Sequence, residues 1–558
     1  MGNNYYSVSE LQNFMVLKKN KNFSTEQLNL DCKSIKLKYK ESGFLFADVK
    51  ISALSYFKDS SFVDISMDIN EGNKILIGKI SLNGNVIFPN KEILNSFETK
   101  VGSVLYDNIL NNDIKELLMR YENKGYPFVK IFVENVSVYE DSGKFKLSVN
   151  LNIFEEKTVQ INQIKIKGNE LTNDNVITRE IKLGKDKTIS TDILQNIKTR
   201  LERLNIFEKV EDPKIYKPKN SNLANLLIEV KEGNPNNFDG ILGYVPPATD
   251  NDNGYFTGLV KLSFKNIFGT ARKIDARWQQ EVKSTQELEF KYTEPYLLGY
   301  PVYGNLGFLQ RIQDTTYTRR KIDLKCDVLF SDKFIVSLSS GFDRIIPSTD
   351  STRIFKIADS RILYGAAELR YDNRDNIFIP GSGGEYKIYY SYGNKRIYNI
   401  SEFQNLGYSE FFSVQKYSAE IEFYLSPFKR ITNLIKGFIG EVKSDKLEDA
   451  DFFRIGGIKN IRGYREEQFL ASDLFYSNLE LRYSVSRKSF LFGFYDFGYY
   501  SKPEDNLNHI SSQKAFLFGY GLGIRLETPL GLVSISYALG KGDGILDGKI
   551  HFGYINDF

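Results

Sequence analysis

The sequence predicts α+β repeats of β-α-α-β-β order followed by a transmembrane antiparallel β-barrel of about 16 strands. Three observations predict it. Short marks recur every 80 to 84 residues in the first 233 residues, the signature of repeated structural units. Past the Gly/Pro/Asn cluster "EGNPNNFDG", Glu232 to Gly240, the pattern changes to alternation of apolar and polar residues, the period of a strand. No run of about 18 apolar residues occurs, so a membrane crossing would have to use strands closed into a barrel.

The repeats come first. "YKESGFLFADVKI" (Tyr39 to Ile51) matches "YENKGYPFVKIFV" (Tyr121 to Val133), and "LERLNIFEKVE" (Leu201 to Glu211) is a weaker third copy. Gly43, Gly125 and Asn205 hold equivalent places. A second mark pairs Gly84 with Gly168, and a third closes each unit at "INEG" (Ile69), "IFEE" (Ile153) and "VKEG" (Val230). Within the middle unit the spacing predicts a strand over Ile80–Asn83, a short helix near Lys91–Phe97 and a longer helix over Asp107–Asn123. Ile109, Leu110, Ile114, Leu117, Leu118 and Tyr121 form the longer helix's apolar face, and Gly125 ends it. Strands over Phe128–Val138 and Lys144–Asn152 complete the unit. The first unit has its long helix, Thr25–Glu41, and its closing strands, but no opening strand. With no basic n-region or apolar h-region in "MGNNYYSVSE", a signal peptide and further sequence are expected upstream. The resulting boundaries are 1–73, 74–156, 157–233 and 234–558.

The back half follows. In "GYGLGIRLET", Tyr520, Leu522, Ile524 and Leu526 fall on one face, and Gly521, Gly523, Arg525 and Glu527 on the other. In "KYSAEIEFYL", Tyr417, Ala419, Ile421, Phe423 and Leu425 oppose Ser418, Glu420, Glu422 and Tyr424. Segments of about 9–12 residues suit a tilted crossing, and Tyr and Phe crowd their ends as interfacial girdles do. A large soluble all-β domain is the competing reading.

Bulk composition narrows function. The 558 residues carry 74 basic and 70 acidic side chains, a net charge of +4, which gives no case for nucleic-acid binding. The only histidines, His509 and His551, are not clustered, and Cys32 and Cys326 make neither a disulfide framework nor a zinc spacing. Gly381–Glu385, "GSGGE", lacks the Lys-Ser/Thr of a phosphate loop and reads as a turn. No Gly-x-Ser-x-Gly elbow is present. Neither an enzyme nor a cofactor or metal requirement is expected.

Against this background "GGIKNIRGYREEQF", Gly456 to Phe469, is a long charged connection between strand-like segments. Its Ile461-Arg462-Gly463-Tyr464 resembles the Val-Arg-Gly-Phe/Tyr motif of outer-membrane assembly factors of the BamA/TamA type, whose barrels follow polypeptide-transport-associated (POTRA) repeats. Supporting marks are "YDNRDNIFIPGSGGEY" (Tyr371 to Tyr386), "FYDFG" (Phe494 to Gly498), "TEPYLLGYP" (Thr293 to Pro301), "GLGIRLETPLGLVSISYA" (Gly521 to Ala538) and the terminal "HFGYINDF". The resemblance covers nearly the whole chain. It implies that the loop folds into the lumen and that Arg462 contacts an acid on the inner wall. Asp496, which alternates with Tyr495, Phe497 and Tyr499, is the first candidate and Glu527 the second. Gly456, Gly457 and Gly463 would let the loop turn sharply.

The implied function is insertion of unfolded client proteins into the outer membrane, with the repeats in the periplasm. Repeat sheets would capture client strands by edge addition, with outer-membrane lipid and accessory proteins or lipoproteins as further partners. A seam between the first barrel strand (Phe238 to Tyr244) and the last (Lys549 to Phe558) would open laterally, with Phe238, Gly240, Gly243, Tyr554 and Phe558 along it. Pro246-Pro247 and two glycines argue for a short, weak pairing there. A two-partner secretion transporter and a passive pore are the alternatives.

Overall fold

The computed structural model describes residues 2–57, 62–158, 160–183, 190–218, 223–234, 236–245, 255–282, 284–348, 356–376, 379–486, 489–528 and 531–555. The chain divides into two compact units. One comprises Met1–Lys167, Glu180–Thr199 and Glu211–Glu229; the other comprises Gly168–Arg179, Arg200–Val210 and Val230–Phe558.

The middle repeat shows why these sequences fold as they do. Its elements are β3 (Leu76–Asn83), α3 (Asn90–Ser96), α4 (Asp107–Asn123), β4 (Lys130–Asp141) and β5 (Lys144–Phe154), after α1 (Val8–Phe14), α2 (Thr25–Glu41), β1 (Asp48–Phe57) and β2 (Phe62–Asn70) of the first repeat. The sheet order is β3-β5-β4, with β3 parallel to β5. Leu110, Leu117 and Tyr121 of α4 pack on Leu147, Val149, Leu151 and Ile153 of β5. Each buried aliphatic side chain contributes about 1.5–3 kcal/mol. The helix buries one charge as well: Asp113 is 2% exposed and accepts hydrogen bonds from Glu98 N (2.7 Å) and Thr99 N (2.9 Å). Asp31 of α2 does the same for Val16 N and Leu17 N at 2.9 and 2.8 Å. Both carboxylates satisfy backbone donors that the inter-helix turn would otherwise strand.

The repeat marks are a clamp. Gly2, Gly84 and Gly168 all take φ of +84° to +85°, and a Cβ there would lie 2.2, 2.2 and 1.9 Å from the carbonyl oxygens of Ile69, Ile153 and Val230. The following asparagines (Asn3, Asn85, Asn169) donate to Tyr6 O, Phe88 O and Thr172 O at 3.0, 2.8 and 2.9 Å. The closing glutamates complete it. Glu71 accepts from Asn4 N, Tyr5 N and Tyr39 OH, and Glu155 from Val86 N, Ile87 N and Tyr121 OH. In the third copy Leu201 replaces the tyrosine, and Glu232 takes three backbone donors, Glu170, Leu171 and Thr172, at 2.7–2.9 Å. Desolvation pushes the Glu232 carboxyl up, but these hydrogen bonds outweigh it and hold its pKa below the ordinary value.

The third repeat supplies β6 (Gln160–Lys167), α5 (Asp174–Thr178), α6 (Thr191–Arg203), β7 (Phe207–Val210), β8 (Lys214–Tyr216) and β9 (Leu223–Glu232). β6 pairs β9 in parallel, as β3 pairs β5. In the first repeat β1 and β2 form a two-stranded sheet, and no parallel strand covers the outer side of β2 among the described residues.

Sixteen strands make one antiparallel sheet in chain order, rolled into a barrel. They begin with β10 (Asn237–Val245), β11 (Tyr255–Ile267), β12 (Arg272–Val282), β13 (Thr285–Glu294), β14 (Val302–Gln313) and β15 (Tyr317–Leu329). Next come β16 (Phe334–Pro347), β17 (Ser360–Asp372), β18 (Gly383–Ile397), β19 (Phe411–Phe428) and β20 (Ile431–Lys443). A short ribbon, β21 (Phe453–Ile455) with β22 (Phe469–Ala471), interrupts the order. The sheet resumes with β23 (Asp473–Ser484), β24 (Phe490–Lys502), β25 (Gln513–Thr528), β26 (Gly531–Gly540) and β27 (Lys549–Ile555). The outer face is apolar: Leu522 is 72% exposed and Ile388 59%. The inner face is charged, with Lys436 held by Glu420 (2.6 Å) and Glu422 (3.0 Å). This inverts a soluble protein and matches a barrel wetted inside and set in lipid outside.

Within this unit the turns at one end of the barrel meet elements of the third repeat. Asn173 N donates to Gly269 O at 2.9 Å. Arg200 Nε and Nη2 each bond Asp332 at 2.7 Å, a bidentate pair. Between the two ends of the sheet, no ladder joins β10 to β27 among the described residues.

Candidate functional site: a lumenal finger on the inner wall

Residues 444–472 leave β20, fold inward and return to β23. Because the sheet wraps round them, they touch strands far apart in order. Near the base, Lys395 of β18, 1% exposed, bonds Glu448 Oε2 and Asp451 Oδ2 at 2.7 Å each. Glu448 also accepts Ala358 N at 2.8 Å, and Arg319 of β15 donates to Ala450 O at 3.2 Å. A buried cation shared by two carboxylates is tolerable only because both charges and their spare lone pairs are satisfied.

The tip is built by the Gly456–Gln468 segment. Gly456 and Gly457 take φ of +117° and +100°, which turns the chain. Gly457 N then donates to Ile461 O (2.9 Å) and Glu467 N to Gly456 O (3.1 Å). Ile461 is fully buried in a cluster with Ile455, Leu474, Tyr476, Tyr500 and Leu517. The next residue delivers the charge. Arg462 Nε and Nη2 bond the two oxygens of Asp496 at 2.7 and 2.6 Å, and its backbone N reaches Asp496 Oδ2 at 3.0 Å. Arg462 Nη1 bonds Glu480 Oε1 at 2.6 Å. The guanidinium lies 3.7 Å above the centroid of the Phe494 ring, a cation–π contact. Asn478 Nδ2 gives Asp496 a further donor at 2.8 Å, so a carboxylate with no exposure is fully satisfied.

The wall is shaped to receive this tip. A Cβ at Gly519 of β25 would stand 1.9 Å from Arg462 O, and one at Gly498 of β24 would stand 2.1 Å from Ile461 Cδ1. Gly463, at φ +91°, would place a Cβ 2.7 Å from Leu539 and Gly540 backbone atoms. Its N–H donates to His551 Nε2 of β27 at 3.0 Å. Tyr464 OH accepts from Phe518 N (3.3 Å) and Lys541 N (3.2 Å). On the far wall Arg311 of β14 bonds Glu467 at 2.7 Å.

The structure therefore brings Gly456, Gly457, Ile461, Arg462, Gly463, Tyr464 and Asp496 into one site, and leaves Glu527 out. Gly519 faces Arg462, and Glu527 is eight residues further along β25, about 27 Å away at the strand rise. Glu527 donates its backbone N to Ser489 Oγ at the turn instead. The second acid on Arg462 is Glu480, which sequence reading missed. Asn478, His551, Lys395, Glu448 and Asp451 were missed too. The acidic run "LEDAD", Leu447 to Asp451, is the one signal in sequence that pointed toward the base. Of the seam residues, Phe238, Gly240 and Gly243 pair with Leu262, Val260 and Thr257 of β11, and Tyr554 pairs with Val533 of β26. Phe558 and the Pro246-Pro247 pair lie outside the described residues.

Comparison with known proteins places this geometry. Residues 266–558 match the Omp85 superfamily domain. Residues 1–72, 75–155 and 159–233 each match the surface antigen variable number repeat, the POTRA unit. The outer membrane protein assembly factor BamA of Nitratidesulfovibrio vulgaris is 23% identical over 562 residues, 95% of this chain and 67% of that protein. BamA of Buchnera aphidicola is 27% identical over 256 residues, 45% of this chain and 39% of that protein. The chain likewise spans 39% of the length of Neisseria meningitidis BamA, at 24% identity over 54% of itself. The crystal structure of Haemophilus ducreyi BamA lacking POTRA domains 1–3 shares the fold, with a TM-score of 0.53 at 15% identity over 86% of this chain and 98% of that one.

Proposed function

The chain belongs to the Omp85 superfamily as a BamA/TamA-like protein, POTRA repeats ahead of an outer-membrane β-barrel, and we propose that it inserts other barrel proteins into that membrane. The repeats sit in the periplasm and hold client strands; the β10–β27 seam opens sideways and offers its edges as a template. The carrying observation is the break in the sheet: fifteen consecutive strand pairs are laddered, and none is found between β10 and β27 among the described residues. Unpaired N–H and C=O groups in a bilayer cost several kcal/mol each, so a loosely closed seam favours pairing with an incoming strand. The repeats support the same reading, because β2 is laddered to β1 alone and β4 to β5 alone among the described residues and edge addition captures extended chain. The driving energy is the client's own burial and backbone pairing, with no nucleotide consumed.

The test is a cysteine pair, one in β10 and one in β27, in an otherwise Cys-free background. Oxidation is expected to stop insertion of client barrels while leaving the protein folded, and reduction to restore it. Full insertion by the locked protein refutes the proposal. Depletion in cells supplies the contrast: loss of many barrel proteins is expected, whereas loss of one exported protein indicates secretion and altered permeability alone a pore.

A further inference from the structure

The finger reaches the terminal strand itself. β27 has seven residues and a ladder on one side only among the described residues, from Leu532↔Ile555 to Ala538↔Lys549. Such a strand is weakly fixed in register, and a slip of one residue would turn Ile550 and Phe552, now 74% and 47% exposed, toward the lumen. Two finger contacts oppose that slip. Gly463 N donates to His551 Nε2 at 3.0 Å, and Ile458 packs so closely on Gly553 that a Cβ there would lie 2.5 Å from Ile458 Cδ1. His551 is 7% exposed. Its accepting Nε2 requires the proton on Nδ1, which faces Glu466 Oε1 at 3.9 Å.

We propose that His551 is a positioning residue that latches the seam strand to the finger, so that the register of β27 and the seating of Arg462 are set together. Arg462 and Gly463 are adjacent, so withdrawing the guanidinium from Asp496 pulls the N–H from His551. The latch fixes the inner face of β27 and leaves the edge turned away from β26 available to a client strand. This deepens the reading in which that edge is the template and rests on it for its purpose, though not for its geometry.

Hydrogen exchange of the purified, membrane-reconstituted protein tests it without any client. In His551→Leu, amides 549–555 should exchange roughly ten- to hundredfold faster, the effect of stranding one buried donor, while β23–β25 stay unchanged. His551→Gln, whose amide oxygen can accept the same N–H, should stay near wild type. Gly553→Val, which displaces Ile458 without touching the imidazole, should also release β27. Unchanged exchange in His551→Leu overturns the latch. So does an equal acceleration in every strand, or a Gln variant as loose as Leu. Insertion of a client barrel by the same variants is measured separately. Release of β27 with unaltered insertion leaves the latch standing and sinks the seam as template; an intact β27 does the reverse.

Discussion

Removing the Asp496 carboxylate is the sharpest perturbation of the finger. Asp496→Ala takes the acceptor from four donors: Arg462 N, Nε and Nη2, and Asn478 Nδ2. Hydrogen bonds to charged groups contribute about 1.5–3 kcal/mol each and neutral ones about 1, but these do not add, because Arg462 keeps Glu480 and the Phe494 ring. Breaking a buried pair by deleting one partner costs about 3–5 kcal/mol, which is roughly two to four decades in the opening equilibrium of the tip. Trypsin cleavage after Lys459, Arg462 and Arg465 in folded, reconstituted protein reads that opening, with barrel integrity followed by heat-modifiable gel mobility. Arg462→Lys should fall between, since an ammonium keeps the charge but lacks the planar fork that meets both Asp496 oxygens while a third nitrogen reaches Glu480. A cleavage rate within threefold of wild type in Asp496→Ala would refute the claim that this pair seats the finger.

Three further outcomes follow from the same geometry. Gly519→Ala should unseat the tip as Asp496→Ala does, because the new Cβ meets Arg462 O at 1.9 Å, whereas Gly493→Ala, whose Cβ comes no nearer than 3.5 Å to Leu522 Cδ2, should be neutral; the same trypsin assay separates them. Asp332→Ala removes the bidentate partner of Arg200 and should loosen residues 200–210 by about 1–2 kcal/mol, given that the pair is partly solvated, read as faster local amide exchange. Glu232 has a folded pKa held below its ordinary 4.5, so its stabilisation is full above that value and is lost as pH falls through the folded pKa. Amides 170–172 should therefore lose protection on acidification below about pH 4.5, and Glu232→Gln should flatten that dependence.

Much of the fold was legible because it is written in periods. The α4 face was readable from i, i+3, i+4 spacing, yet Asp113 sits within it: a helical stripe encodes burial, and a carboxylate is admitted to it only when a turn from elsewhere brings two N–H donors. The glycine and glutamate marks were readable as repeats but not as a clamp, since Gly84 and Glu155 stand 71 residues apart in sequence and meet only once β3 lies beside β5. The strand alternation placed Asp496 on the lumen face and Glu527 there as well, and Glu480 came into view only with the fold.

The sequence alone thus carried the repeats and a strand alternation that fitted a barrel or a large soluble all-β domain, and a contiguous motif, through its resemblance, pointed to the arginine that enters the lumen, because each depends on local periodicity or on neighbouring residues. Which acid meets Arg462 was decided by tertiary structure. Lumen-facing carboxylates on neighbouring strands are equivalent by period, and only the depth at which the finger seats distinguishes them. That depth is set by bare backbone at Gly498, Gly519 and Gly540, where the wall leaves room for Ile461, Arg462 and Gly463, and by a histidine on the last strand that accepts the tip's N–H.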